Sequence, residues 1–258
     1  MILKSAKLST FKRPLIIAHR GYREKYPENT HAAYRAAMGA QADMIEMDVM
    51  LSRDRKLVVI HDNTLERTTN GRGPVSNYTL EELKRLDAGS WFDSRFSQER
   101  IPTLQEALDQ MANNVLINIE LKAGLYKADR PYGIVERQIV ELIKEKDICD
   151  SVLISSFERE MLEYISKMDD SLSVGLISKY PADSRNKELC TRLHVFSWHP
   201  NCTGLNYEHV KTMHDINIKI FPYNVDSLAQ YEKVAKMGVD GVITSNPVMV
   251  WEAQQVRM

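Results

Sequence analysis

Met44-Ile-Glu-Met-Asp-Val49 is apolar at every position except two, and those two are acids spaced two residues apart. A short continuous apolar run of this kind is a strand covered on both faces, as in parallel sheets flanked by helices. Unpaired carboxylates in such a strand are costly, so Glu46 and Asp48 need a partner. Seven further runs of the same character surround it: Leu15 to His19, Leu116 to Leu121, Val152 to Ser156, Ser173 to Ile177, Val195 to Trp198, Ile218 to Asn224 and Gly241 to Ser245. Amphipathic helical stretches separate them, which is the pattern of repeated βα units. Eight such units point to a closed (β/α)8 TIM barrel of the α/β class rather than an open doubly wound sheet. The 258 residues suit one barrel domain spanning 1–258. Thr103-Leu-Gln-Glu106, Ser155-Ser-Phe-Glu158 and Ser227-Leu-Ala-Gln230 have the spacing of helix capping boxes, and Gly238 reads as a helix stop.

One segment interrupts the alternation. A hairpin is expected over Val49 to His61, turning at Ser52-Arg-Asp-Arg-Lys56. Beyond it, residues 63–103 hold only turn residues (Asn70-Gly-Arg-Gly-Pro74), a capped short helix from Thr79-Leu-Glu-Glu82 and the aromatic pair Trp91-Phe92. An insertion this long within a compact barrel is read as a lid or small subdomain, against the alternative of a plain surface loop. Gly71-Arg-Gly73 is not read as a phosphate loop, because no strand-to-helix junction frames it.

Bulk properties narrow the partner. With 34 basic and 35 acidic residues the net charge is -1, which gives no electrostatic case for nucleic acid or an anionic membrane surface and favours a small molecule. Cys149, Cys190 and Cys202 are an odd number without metal-ligand spacing, consistent with reduced thiols in the cytoplasm. Lys4, Lys7, Lys12 and Arg13 precede an apolar run too short for a signal peptide, and no stretch is long enough to span a bilayer. A soluble cytoplasmic protein is expected.

Side chains two apart on a strand share a face, so Glu46 pairs with Asp48, and Glu120 with Lys122. At the C-terminal mouth of a barrel the three carboxylates would converge and repel unless a cation lay between them, and a hard divalent ion, Mg²⁺ or Ca²⁺, suits all-oxygen ligands. His19 ends the first strand and His61 ends the hairpin; near neutral pH such a pair serves as acid and base on opposite sides of a phosphorus atom. Arg20 offers a fixed fork for phosphate oxygens, and Lys122 a point charge. A lone strand-end histidine is commonly structural, but each of these has a charged neighbour, Arg20 or Asp62.

Ile17-Ala-His-Arg-Gly21, Pro27-Glu-Asn-Thr30, Glu46-x-Asp48, His61-Asp62, Glu120-x-Lys122, Ser155-Ser-Phe157 and Gly238-Val-Asp-Gly-Val-Ile-Thr244, in this order, resemble the glycerophosphodiester phosphodiesterases over nearly the whole chain. The resemblance implies a TIM barrel with a small subdomain inserted after the second-strand hairpin. It implies Glu46, Asp48 and Glu120 as metal ligands and His19 and His61 as the acid and base pair. Arg20 and Lys122 match phosphate-contacting cations, and Glu28, in a supporting role near the metal, and Tyr223 are placed with them at the substrate and phosphate site. The implied reaction is hydrolysis of a glycerophosphodiester, such as glycerophosphocholine or glycerophosphoethanolamine, to sn-glycerol 3-phosphate and an alcohol, within lipid and glycerol metabolism. The alternatives are a lysophospholipase D or sphingomyelinase D-like lipid phosphodiesterase, and a barrel that only binds phosphorylated metabolites.

Three departures from the family pattern carry expectations. Tyr223-Asn-Val-Asp226 replaces a Trp-Thr-Val-Asn stretch, placing the difference in the substrate pocket. Thr244-Ser245-Asn246-Pro247 replaces Thr-Asp, so an acidic contact at that mouth is expected to be missing. Asp54-Arg55 replaces Asp-Gly in the hairpin, so a different turn geometry is expected, because a left-handed non-glycine residue costs roughly 1 kcal/mol. Trp198-His199-Pro200-Asn201 is read either as a wall on the alcohol side of the pocket or as strand-end packing. His31, His194, His209 and His214 are read as surface or structural.

Overall fold

The computed structural model describes residues 13–122, 133–179 and 184–256; Lys4, Lys7 and Lys12 lie outside them. The strands are β1 (Leu15–His19), β2 (Met44–Leu51), β3 (Leu57–Val59), β4 (Leu116–Leu121), β5 (Val152–Ser156), β6 (Ser173–Ser178), β7 (Ser197–Pro200), β8 (Lys219–Ile220) and β9 (Gly241–Thr244). Between and after them lie α1 (His31–Gly39), α2 (Leu80–Lys84), α3 (Leu104–Met111), α4 (Ile134–Glu145), α5 (Arg159–Met168), α6 (Ser184–Arg192), α7 (Tyr207–His214), α8 (Leu228–Lys236) and α9 (Pro247–Gln255). The parallel ladder runs β8-β7-β6-β5-β4-β2-β1-β9, while β3 pairs antiparallel with β2 as the hairpin arm. Backbone bonds from Asp240 N to Ile220 O and from Ile243 N to Pro222 O bring the first and last of these strands together, giving a nearly closed eight-stranded barrel.

Strand parity sorts the side chains. Ile16, Ala18, Ile45, Met47, Ile117 and Ile119 pack outward into the layer shared with the helices. Leu15, Ile17, Met44, Leu116, Leu153, Phe221 and Ile243 form a separate apolar cluster, which is the plug inside the barrel. Each fully buried aliphatic side chain there contributes roughly 1.5–3 kcal/mol. The same parity continues along each strand into His19, Glu46, Asp48, Asn118, Glu120 and Ser155, so those polar side chains stand above the plug. Register completes the arrangement: His19 lies beside Glu46, Asp48 beside Glu120, and Glu120 beside Ser155.

Two expected strands end differently. The sixth barrel strand is shifted to Ser197–Pro200 rather than Val195 to Trp198, because Pro200 closes it as an acceptor, taking Tyr223 N at its carbonyl. The seventh is only Lys219–Ile220, since Pro222 has no N–H to continue the ladder toward Asn224.

Capping boxes form at Thr79/Glu82 and Thr103/Glu106. They do not form at Ser155/Glu158: Ser155 is buried within β5, Ser156 Oγ takes Glu158 N at 3.0 Å, and α5 begins only at Arg159. Ser227 caps α8 through Gln230 N, but the returning Gln230 side chain bonds Asp226 N instead of Ser227 N. Gly238 follows the α8 C-cap at φ +83. In the hairpin, Arg55 does adopt the left-handed conformation at φ 61. It is held there by Arg55 N to Ser52 O and by the Ser52 hydroxyl, which accepts from Lys56 N and donates to Asp54.

Residues 63–103 contain no strand; they carry short 3-10 turns at Val75–Asn77 and Ser94–Phe96 and helix α2. Leu65, Val75, Leu83, Ala88 and Ile101 pack with Met50, Val58 and Ile60 of the hairpin into an apolar cluster of their own. Among the described residues no helix is long and apolar enough to cross a membrane.

Candidate active site

Glu46, Asp48 and Glu120 offer carboxylate oxygens that all lie within 4.8 Å of one another, at 2%, 0% and 8% exposure. Burial first, then the neighbouring carboxylates, pushes Glu46 well above the usual carboxylate range and raises Glu120. Burial opposes charge on Asp48 too, but Arg20 and Lys122 outweigh it and hold this carboxyl below its ordinary value. Among the described residues, Glu46 Oε1 and Asp48 Oδ1 accept no hydrogen bond although both are buried. Orphaned oxygens on clustered acids are the donor set of a hard divalent cation, so these residues fit one.

The cations enter from two strand ends. Arg20 is left-handed at φ 58, which turns its N–H onto Glu46 Oε2 at 2.8 Å and starts the sharp bend after β1. Gly21 completes the bend at φ +80, where a Cβ would come within 2.7 Å of the Ala33 side chain. The Arg20 guanidinium bonds Glu28 at 2.9 Å and places Nε 3.1 Å from Asp48, too oblique for a hydrogen bond. Lys122 reaches Glu120 at 2.6 Å and Asp48 at 3.3 Å. Asn29, in the Pro27-Glu-Asn-Thr30 turn, donates to Asp48 Oδ2 at 2.8 Å and accepts from Tyr34. Its φ of 56 is a conformation asparagine tolerates.

Both imidazoles line the same cleft as Glu46 and Glu120 of this cluster. His19 is nearly buried, its Nε2 3.9 Å from Glu46, and burial together with Arg20 lowers its pKa well below the ordinary value. His61 Nδ1 lies 2.5 Å from Asp62, and burial, only partly offset by Asp48, lowers its pKa as well. His19, Arg20, Glu46, His61, Glu120, Lys122 and Tyr223 line one cleft of about 140 Å³, with Asp48 behind them against Arg20 and Lys122. Tyr223 is half-buried, donates its hydroxyl to Ser178 O at 3.1 Å and meets Phe157 edge-on. Glu28 is not on the cleft: it stands behind Arg20, its carboxylate occupied by Arg20 and Arg67.

Of the segment read either as a pocket wall or as strand-end packing, His199 is on the cleft, and Asn118 is a lining residue that the sequence reading missed. His199 reaches the cleft fully buried, with Nε2 2.8 Å from Ser197 Oγ and Nδ1 without a partner among the described residues, and burial lowers its pKa to about 3. Gly175 makes room for it, since a Cβ there would lie 2.9 Å from His199 Nε2. The signal was Ser197-x-His199 at inward parity opposite a strand glycine. Asn118 and Asn224 also line the cleft, with buried side-chain oxygens that accept no hydrogen bond among the described residues. After the last strand, Ser245 stands where an acid was expected to be missing, and its N–H donates to Asp226 at 2.7 Å, which lies 3.6 Å from Arg23.

The model of the glycerophosphoryl diester phosphodiesterase family matches residues 19–249. The chain is 41% identical over 236 residues to a glycerophosphodiester phosphodiesterase of Caldanaerobacter subterraneus subsp. tengcongensis, covering 91% of this chain and 95% of that one. It is 37% identical over 236 residues to a glycerophosphodiester phosphodiesterase of Bacillus altitudinis, covering 90% and 94%. Among solved structures it is similar to an Oleispira antarctica phosphodiesterase in complex with the product sn-glycerol-3-phosphate. That match has a TM-score of 0.87 and 29% identity and covers 94% of this chain and 97% of the other.

Proposed function

Because the chain belongs to the glycerophosphoryl diester phosphodiesterase family and is an enzyme of that activity, we propose that it works with a divalent metal and a histidine pair. In this reading it converts glycerophosphodiesters to sn-glycerol 3-phosphate and an alcohol. The observation that carries the reading is the buried triad Glu46, Asp48 and Glu120, flanked in one cleft by two imidazoles and two cations. These three carboxylates would hold Mg²⁺ or Ca²⁺, and a cation bound there supplies charge to balance the negative charge that develops on the phosphoryl oxygens.

The protein's own groups perform the rest. Arg20 and Lys122 are fixed by Glu28 and Glu120 and present positive charge to the phosphate. The glycerol hydroxyl next to the phosphoester attacks phosphorus while the bond to the alcohol breaks. One imidazole takes the proton of the attacking hydroxyl, and the other gives a proton to the leaving alcohol. The histidines exchange roles when water opens the resulting cyclic phosphate. Asp62 behind His61 Nδ1 leaves the opposite ring nitrogen for this transfer.

Residues 63–103 are read as a small subdomain beside the site, supported by their own apolar cluster and by the reach of Arg67 to Glu28. A cytoplasmic location is supported by the free thiols of Cys149, Cys190 and Cys202.

The test is release of glycerol 3-phosphate from glycerophosphocholine and glycerophosphoethanolamine, with lysophospholipid in the same panel. Activity should vanish in chelator and return with Mg²⁺ or Ca²⁺. His19→Ala should lose about 10²–10⁴-fold in kcat without unfolding. Full activity in chelator, or an unimpaired His19→Ala, would overturn the reading.

A further inference from the structure

We infer that Arg67 is a positioning residue that aims His61 by clamping Asp62 and Glu28 together. It lies on the inserted segment, and all three of its guanidinium nitrogens are engaged. Nε and Nη2 meet Asp62 at 2.6 and 3.0 Å, while Nη1 and Nη2 both meet Glu28 at 2.8 Å. The chain of contacts is continuous. Arg20 Nη1 holds Glu28 at 2.9 Å, Arg67 bridges Glu28 to Asp62, and Asp62 Oδ1 meets His61 Nδ1 at 2.5 Å. One arginine outside the cleft lining thus ties the Arg20 guanidinium to the His61 imidazole.

The side chain of Arg67 is 42% exposed, and an exposed ion pair of ordinary geometry contributes little. Forked bonding to two carboxylates is different, because it fixes direction as well as charge. Asp62 without its clamp is free to swing toward solvent, and His61 then loses the acceptor that sets its ring. The opposed guanidiniums and carboxylates agree with this: Arg67 is driven up by its bonds to Glu28 and Asp62, and Asp62 is driven down chiefly by Arg67. Outer partners of this kind typically cost about 10–100-fold in activity when removed.

The inference rests on His61 acting in proton transfer, and a double-mutant cycle tests both separately. Arg67→Met should lower kcat for glycerophosphocholine by about 10–100-fold, and in a His61→Ala background it should cost almost nothing further, because its effect passes through that ring. Asp62→Asn should be non-additive with His61→Ala in the same way, and it serves where Arg67→Met does not fold. Arg67→Lys, a point charge unable to fork onto two carboxylates, should recover only part of the loss. Equal fold-losses in both backgrounds, or full recovery by lysine, would overturn the inference. Full activity of His61→Ala alone would overturn the reading of His61 instead.

Discussion

Replacing Glu46 by Gln should change stability in opposite directions with and without metal. The oxygens of Glu46, Asp48 and Glu120 lie within 4.8 Å of one another. At that separation a like-charge pair costs about 3 kcal/mol at an effective dielectric of about 20. Arg20 and Lys122 offset part of this, yet Glu46 is still held well above its normal pKa. Glu46→Gln keeps an acceptor for Arg20 N and removes the repulsion, so the chelated protein should gain about 1–2 kcal/mol. With divalent ion at a hundredfold excess over its Kd, the native protein should gain about 2.7 kcal/mol, a rise of roughly 5–10 °C in Tm, and the variant almost none. Thermal melts of both proteins in chelator and across a Mg²⁺ and Ca²⁺ titration give all the quantities. An equal metal-induced shift in the variant would refute Glu46 as a ligand, and a destabilised variant in chelator would refute the repulsion.

Two further outcomes concern the wall opposite the carboxylates. Burial holds His199 at about 3, below the ordinary 6.5, so the unfolded chain takes up the proton first; the stability tied to this ring is complete above the unfolded value and is lost as pH falls from 6.5 toward 3. Urea unfolding of the native protein should therefore lose about 2 kcal/mol more than His199→Gln between pH 7 and pH 5, and parallel curves would contradict the burial argument. Gly175→Ala should destabilise by about 1–3 kcal/mol, because its Cβ would lie 2.9 Å from both His199 Nε2 and Ser197 Oγ; an unchanged midpoint in the same unfolding assay would show that the ring has room to move.

What could be read in the chain was local. The period of two along a strand puts Glu46 with Asp48 and Glu120 with Lys122, and the structure has each pair converging with the other. The insertion was legible as a gap between strands, and the short helix α2 by its Thr79 and Glu82 cap. The Ser155-to-Glu158 cap failed because the same spacing occurs where a strand runs into a loop, and spacing does not say where a strand stops. Arg55 adopts positive φ because four hydrogen bonds within the turn sustain it, which a residue-type rule does not count.

By itself the sequence determined the eight-unit barrel, the inward parity of the acids and the histidines at strand ends, since these follow from backbone geometry repeated over neighbouring residues. Only the tertiary structure decided which charges pair. Glu28 meets Arg67 across 39 positions and leaves the cleft to Arg20. Asp226 reaches across to the N–H of Ser245 after β9, and His199 enters the barrel because a glycine on the adjacent strand leaves space. Such contacts depend on how loops fold back over the barrel mouth, where the distance between charges, and hence their energy, is fixed by packing rather than by any periodicity of the chain.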